Sequence, residues 1–135
     1  MPEWVTTAYE DYTRRMRKDM RVDLEVVPVG KSQLEEEASL LRRIGEDYLV
    51  ALDEHGKSLT TLQLAKWLGE RQQDGRNLTF VIGGPDGHGA GVLAKANLRW
   101  SLSPLTFPHA MVRVILAEQL YRAHSVLQNH PYHRE

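Results

Sequence analysis

The stretch Leu78-Thr79-Phe80-Val81-Ile82-Gly83-Gly84-Pro85-Asp86-Gly87-His88-Gly89 is where this sequence declares its fold class. Its first five residues form a mostly apolar run of strand length, and glycine then crowds in at once. A glycine-rich turn at the C-terminal end of a strand lets a ligand approach the backbone where α/β proteins bind ligands. It fits neither standard nucleotide motif: there is no G-x-x-x-x-G-K-[ST], and no G-x-G-x-x-G aligns through residues 83 to 91. Taken alone, two glycines and a proline more often make a plain turn.

Working upstream, Thr60 or Thr61 caps a helix through Leu62, Ala65, Leu68 and Gln72, with Gly75 placed just after its end. Before it, Tyr48-Leu49-Val50-Ala51-Leu52 reads as a strand, preceded by a helix from about Gln33 to Glu46 that turns Leu34, Ala38, Leu41 and Ile44 inward. Val22, Leu24, Val26 and Val29 suggest a further short strand. Trp4, Val5, Ala8, Tyr12 and Met16 recur at helical spacing in an opening helix that ends near Lys18.

Downstream, a short helical stretch from about Val92 to Leu98 leads to Trp100-Ser101-Leu102-Ser103, and a loop containing Pro104 and Pro108 opens the longest helix, from Pro108 to about Leu127. There Val112, Ile115, Leu116, Gln119, Leu120, Ala123 and Leu127 share a face, and Glu118 to Arg122 is a favourably oriented i,i+4 pair. Strands alternating with helices imply an α/β layer structure with a largely parallel sheet. Without linkers or repeats, residues 1–135 are expected to form one domain.

Composition narrows the chemistry. Apolar residues make up 41% and charged residues 26% of the 135, the balance of an ordinary globular protein. There is no cysteine, which excludes disulfides, thiolate nucleophiles and thiolate metal sites. No apolar run is long enough to span a bilayer and no signal-peptide pattern opens the chain, so no membrane association and a cytoplasmic location are expected. His55, His88 and His109 fall in separate loops and no H-E-x-x-H occurs, so no metal site is expected. There is no G-x-S-x-G serine elbow. A net charge of −1 argues against a general nucleic-acid binder, although Arg14, Arg15, Arg17, Lys18 and Arg21 form one basic cluster, whose plainer reading is a solvated helix end.

Four segments in order carry a resemblance. Phe80-Val81-Ile82-Gly83-Gly84-Pro85-Asp86-Gly87, then Trp100 to His109 (WSLSPLTFPH), then Arg113 to Ala123 (RVILAEQLYRA), then Asn129-His130-Pro131-Tyr132-His133-Arg134-Glu135 closely resemble the RlmH family. Those are SPOUT-class methyltransferases acting on N3 of a pseudouridine in large-subunit (23S) ribosomal RNA. The likeness is weak before Tyr48 and strong from Leu78 onward. It implies a SPOUT-type α/β knot, with a trefoil knot near the C-terminus that no periodicity could reveal.

The resemblance implies S-adenosyl-L-methionine as cofactor, with Leu52 lining its crevice, Gly83 and Gly84 allowing close approach, and Leu102, Ser103, Pro104, Leu105, Thr106 and Phe107 wrapping the adenosine. The absence of a phosphate-binding loop is consistent, because this cofactor carries no phosphate. His133 is the candidate proton acceptor or polariser, Tyr132 the residue that stacks on or bonds the base, and Arg134 a phosphate fork. For these three a disordered tail is the plain alternative. Family members are homodimers with the site built between subunits, and the expected partner is large-subunit ribosomal RNA within the assembled ribosome. The rival reading is a non-catalytic α/β module that binds RNA or a nucleotide; a SPOUT methyltransferase with another RNA target is disfavoured by the Pro131-Tyr132-His133-Arg134 ending. The family begins with a short apolar strand and a glycine-lysine turn ahead of the segment matching Pro2-Glu3-Trp4. A chain starting at Met1 is therefore expected to lack one strand of the sheet, and an upstream extension to encode it.

Overall fold

The computed structural model describes residues 2–25, 30–83 and 87–134. In chain order the elements are α1 (Glu3–Met16), α2 (Gln33–Ile44), β1 (Tyr48–Ser58), α3 (Thr61–Asp74), β2 (Leu78–Ile82), α4 (Ala90–Lys95), β3 (Leu98–Ser101), α5 (His109–Leu127) and a final 3₁₀ turn (Pro131–Arg134). The expected α/β alternation is present, on a three-stranded parallel sheet of order β2-β1-β3. Parallel neighbours need crossovers, and α3 and α4 supply them.

The middle strand explains why the sequence reads as a continuous apolar run. Val50 and Leu52 point into a core shared with Leu64 and Leu68 of α3, Trp100 of β3, and Leu116 and Leu120 of α5. Leu49 and Ala51, one residue out of phase, meet Ile44 of α2, Val81 and Val92 on the opposite face. A strand covered on both faces has no polar side to show. Each such leucine taken fully out of water contributes roughly 1.5–3 kcal/mol.

Local chemistry sets the helix ends. Thr60 accepts from the Gln63 amide at 3.1 Å while the Gln63 side chain accepts from the Thr60 amide at 2.9 Å, a capping box that starts α3. Gly75, at φ +78°, ends that helix in the left-handed conformation its sequence position foretold. Ser32 caps α2 by accepting from the Glu35 amide at 3.2 Å.

Four expectations need correction. Leu34, expected to turn inward with its helix, stands in the first turn of α2 and is 81% exposed. Met20 to Glu25 form no strand: Val22 and Leu24 alternate with exposed neighbours, but the described residues offer them no strand to pair with, so the pattern yields only extended chain; Val26 and Val29 lie outside the described residues. The short helix stops at Lys95, because Asn97 pairs with Leu49 through its amide (2.8 Å) and its side-chain oxygen (2.9 Å), which turns Leu98 into the first residue of β3. Finally, β1 does not end at Leu52. It bulges out after Leu52, opposite Trp100, and rejoins β3 through Lys57 and Ser58.

Candidate active site

The carboxyl ends of β2 and β3 flank β1 at Leu52, where it begins to bulge and whose register partners are Ile82 on one side and Trp100 on the other. This is the end of a parallel sheet at which ligands are received. Gly83 and Gly87 approach closely: a Cβ on Gly83 would stand 3.1 Å from the carbonyl carbon of Gly87, which itself adopts φ +79°. Gly84, the other glycine named for the site, lies outside the described residues. His88 reaches back to β1, its Nε2 2.6 Å from the carbonyl oxygen of Leu52. A carbonyl only accepts, so Nε2 carries the proton.

The segment from Leu102 to Phe107 runs from the end of β3 as an open loop over the β1 bulge. Ser103 Oγ accepts from the Leu105 amide at 3.0 Å, bending the loop on itself. Thr106 Oγ1 donates to Glu54 Oε2 at 2.9 Å and anchors the loop to the bulge. Pro104, Leu105 and Thr106 are exposed, and Leu102, Ser103 and Phe107 are half-buried. Beneath them Arg99 Nη2 meets Asp53 Oδ2 at 2.6 Å, and the His55 amide donates to Asp53 at 3.0 Å. The Arg99 hydrogen bond, then that of the His55 amide, hold the Asp53 carboxyl below the usual carboxylate range. At the root of the loop, Ser101 is 5% exposed and its hydroxyl has no partner among the described residues. An orphaned buried hydroxyl costs free energy unless something bonds it.

The tail forms a second cluster. After α5, Asn129 takes φ +55°, and the His130 amide donates to the Ser125 carbonyl at 2.8 Å, turning the chain back onto the helix. Tyr132 packs edge-on against Tyr121, with ring centroids 4.6 Å apart, and Tyr121 lies 6.1 Å from Tyr12 of α1. The Tyr132 hydroxyl donates to Glu118 at 3.3 Å; burial, the hydrogen bond with Tyr12 and the Glu118 charge push its pKa far above the usual tyrosine value. The hydroxyl therefore stays protonated and serves as a hydrogen-bond donor, neither giving up its proton nor acting as a base. His133 Nδ1 lies 2.8 Å from the His130 carbonyl oxygen. Arg134 is exposed. Among the described residues these contacts run to α1, α5 and the tail itself, whereas the loop over β1 is bonded to Glu54.

The basic cluster at and beyond the end of α1 is partly compensated: Arg14 and Arg15 pair with Asp11 at 3.2 and 3.0 Å, and Arg21 with Asp23 at 3.0 Å. Among the described residues no three His, Asp or Glu side chains gather where a metal ion would sit, and no helix is long and apolar enough to cross a membrane. A cavity of about 1330 Å³ runs along the outer edge of β2; among the described residues predicted for the cofactor, only Gly83 borders it. Sequence reading missed His88 and Glu54, for which it held no signal. It noted the Glu118–Arg122 pair but not its link to the tail.

These features belong to a known class. A family model described as "Predicted SPOUT methyltransferase" matches residues 1–133, and the chain belongs to that family. Among curated relatives, the "Ribosomal RNA large subunit methyltransferase H" of Methylobacillus flagellatus is 50% identical over 100% of this chain and 93% of its own length. The proteins of the same name from Hahella chejuensis and Alkalilimnicola ehrlichii are 44% and 46% identical, covering 100% and 99% of this chain and 93% and 92% of their own lengths.

Proposed function

We propose that this protein methylates large-subunit ribosomal RNA, at N3 of a pseudouridine, with S-adenosyl-L-methionine as donor. The observation that carries the reading is full-length identity of 44–50% to relatives named for methylation of that RNA. The non-catalytic alternative finds no support in those names. The residues at the strand ends fit the cofactor. Glycine backbone at Gly83 permits close approach, the Leu102–Phe107 loop offers an apolar wall, and the unpartnered Ser101 hydroxyl offers a polar contact for a bound molecule. Leu52 and Gly84 complete the proposed crevice, and Leu102, Ser103, Pro104, Leu105, Thr106 and Phe107 its wall. When bound, the cofactor supplies an electrophilic methyl group.

The protein's own task is to hold an acceptor in line and take its N3 proton. With Nδ1–H given to the His130 carbonyl, neutral His133 presents the lone pair of Nε2 for that proton. Arg134, exposed beside it, reaches phosphate, and the ring of Tyr132 sets the height of the tail. Because tail and crevice engage different elements, the reading includes a homodimer in which one subunit's tail completes its partner's crevice. A trefoil knot around that crevice, a single domain over residues 1–135, action on the assembled ribosome and a cytoplasmic location complete it.

The test uses tritiated S-adenosyl-L-methionine with ribosomes, and separately with protein-free RNA. Label at one pseudouridine of the large-subunit RNA is expected. A folded sample that labels neither substrate overturns the proposal.

A further inference from the structure

The geometry points to Glu118 as the positioning residue that holds the C-terminal tail in its working place, an inference that rests on the methyl-transfer reading above. The carboxylate is a hub. Glu118 Oε1 takes Arg122 Nε at 2.8 Å, Arg122 Nη2 at 2.6 Å and the Tyr132 hydroxyl at 3.3 Å, while Oε2 takes Gln119 Nε2 at 2.7 Å. An i,i+4 pair whose only work is to steady a helix needs no third party. This one recruits the tail from both of its members.

Arg122, fixed by Glu118, places its guanidinium 5.1 Å over the Tyr132 ring and directs Nη1 at the His133 carbonyl, 3.5 Å away. The side chains of Arg122 and Glu118 are only 20% and 17% exposed, against 41–67% for the pairs of α1 with Asp11. Screening by water is correspondingly weaker and the charge matters more. Terminal residues stay mobile unless tied down. Here the ties fall on the residue before His133 and on His133's own carbonyl, which fixes the backbone carrying the imidazole. Glu118 touches neither the crevice nor, in this arrangement, the acceptor, so it acts through the tail.

The experiment compares single-turnover methylation and cofactor dissociation constants for the full-length wild type, Glu118→Gln, His133→Ala and the double variant. Glu118→Gln keeps the volume and removes the charge. It is expected to slow methyl transfer about tenfold, since misplacing a reacting group by an ångström is enough for such losses, with cofactor affinity held within about twofold. In the His133→Ala background the same change should alter the rate by less than about twofold, because the effect travels through His133. Tyr132→Phe, which deletes one bond and keeps the ring, should show the same pattern at about threefold. Carboxypeptidase should release the last residues from Glu118→Gln about tenfold faster than from wild type. An unchanged rate in Glu118→Gln, equal slowing in both backgrounds, or unchanged digestion overturns the assignment. If the wild type itself transfers no methyl group, the proposed function falls, and digestion alone decides whether Glu118 clamps the tail.

Discussion

The Nδ1 of His133 stands 2.8 Å from the carbonyl oxygen of His130, and this contact decides which ring nitrogen is available. The carbonyl requires a proton on Nδ1, which leaves Nε2 as the acceptor in the neutral ring. His133→Ala is therefore expected to lower single-turnover methylation about 100-fold, the low end of what a positioned general base supplies. Cofactor affinity should move less than about twofold. Equal losses in both would place His133 in the cofactor pocket or in the fold.

Thr106→Val tests the other half of the site. The Thr106 hydroxyl bonds Glu54 across 2.9 Å and holds the loop over the bulge of β1. Valine keeps the shape and loses the bond, about 1 kcal/mol, or roughly fivefold in cofactor affinity if the loop must close on the ligand. Calorimetry with the demethylated cofactor measures it. Unchanged affinity would mean that this anchor does not shape the crevice.

How far the sequence carried these conclusions differs by element. The boundaries of β2, the Thr60 cap and the Gly75 stop were legible because each is set within a few residues: a mostly apolar run cut off by glycine, a capping box, a left-handed glycine. Leu98 was misplaced because its state is decided by Asn97 bonding Leu49, a contact 48 residues away in the chain. The same holds at the site. Glycines and the Leu102–Phe107 loop could be named from motif order, yet Glu54 and His88 enter through hydrogen bonds to Thr106 and Leu52 that only tertiary folding creates. The docking of the tail was equally hidden, since Tyr12 looked like an ordinary member of an apolar helix face and Tyr121 carried no signal beyond its place in the last helix.

Acid stability should depend on Asp53. Arg99 and the His55 amide hold its folded pKa below the unfolded value, about 3.9. Its contribution is therefore complete above that value and is lost as pH falls through the folded one. Asp53→Asn should lower unfolding free energy by about 0.5–1.5 kcal/mol at pH 6 and by much less at pH 2.5. Urea denaturation at both values reads the difference, and an identical loss at both would remove Asp53 ionisation from the account.

Gly56→Ala should damage both stability and site, for a reason found in the register of the sheet. Strand β1 leaves β3 after Leu52 and returns at Lys57, and Gly56 stands at the point of return. A Cβ there would lie 2.6 Å from the Arg99 carbonyl oxygen and 2.9 Å from the Trp100 amide nitrogen, both backbone atoms of β3. Backbone in a paired strand cannot swing aside as a side chain can, so β3 must shift. Trp100, 2% exposed in the main core, and Ser101, at the root of the Leu102–Phe107 loop, would move with it. The expected cost is about 1–3 kcal/mol, with a fall of roughly tenfold in cofactor affinity, the equivalent of about 1.4 kcal/mol. Gly75→Ala is the comparison: its φ is +78° but nothing lies within 4 Å of the added carbon, so it pays only the backbone penalty, about 1 kcal/mol, far from the crevice. Thermal melts should show both variants destabilised, while calorimetry should show weaker cofactor binding in Gly56→Ala alone. A Gly56→Ala protein with wild-type affinity would mean that the loop after Ser101 takes its position independently of where β1 rejoins the sheet.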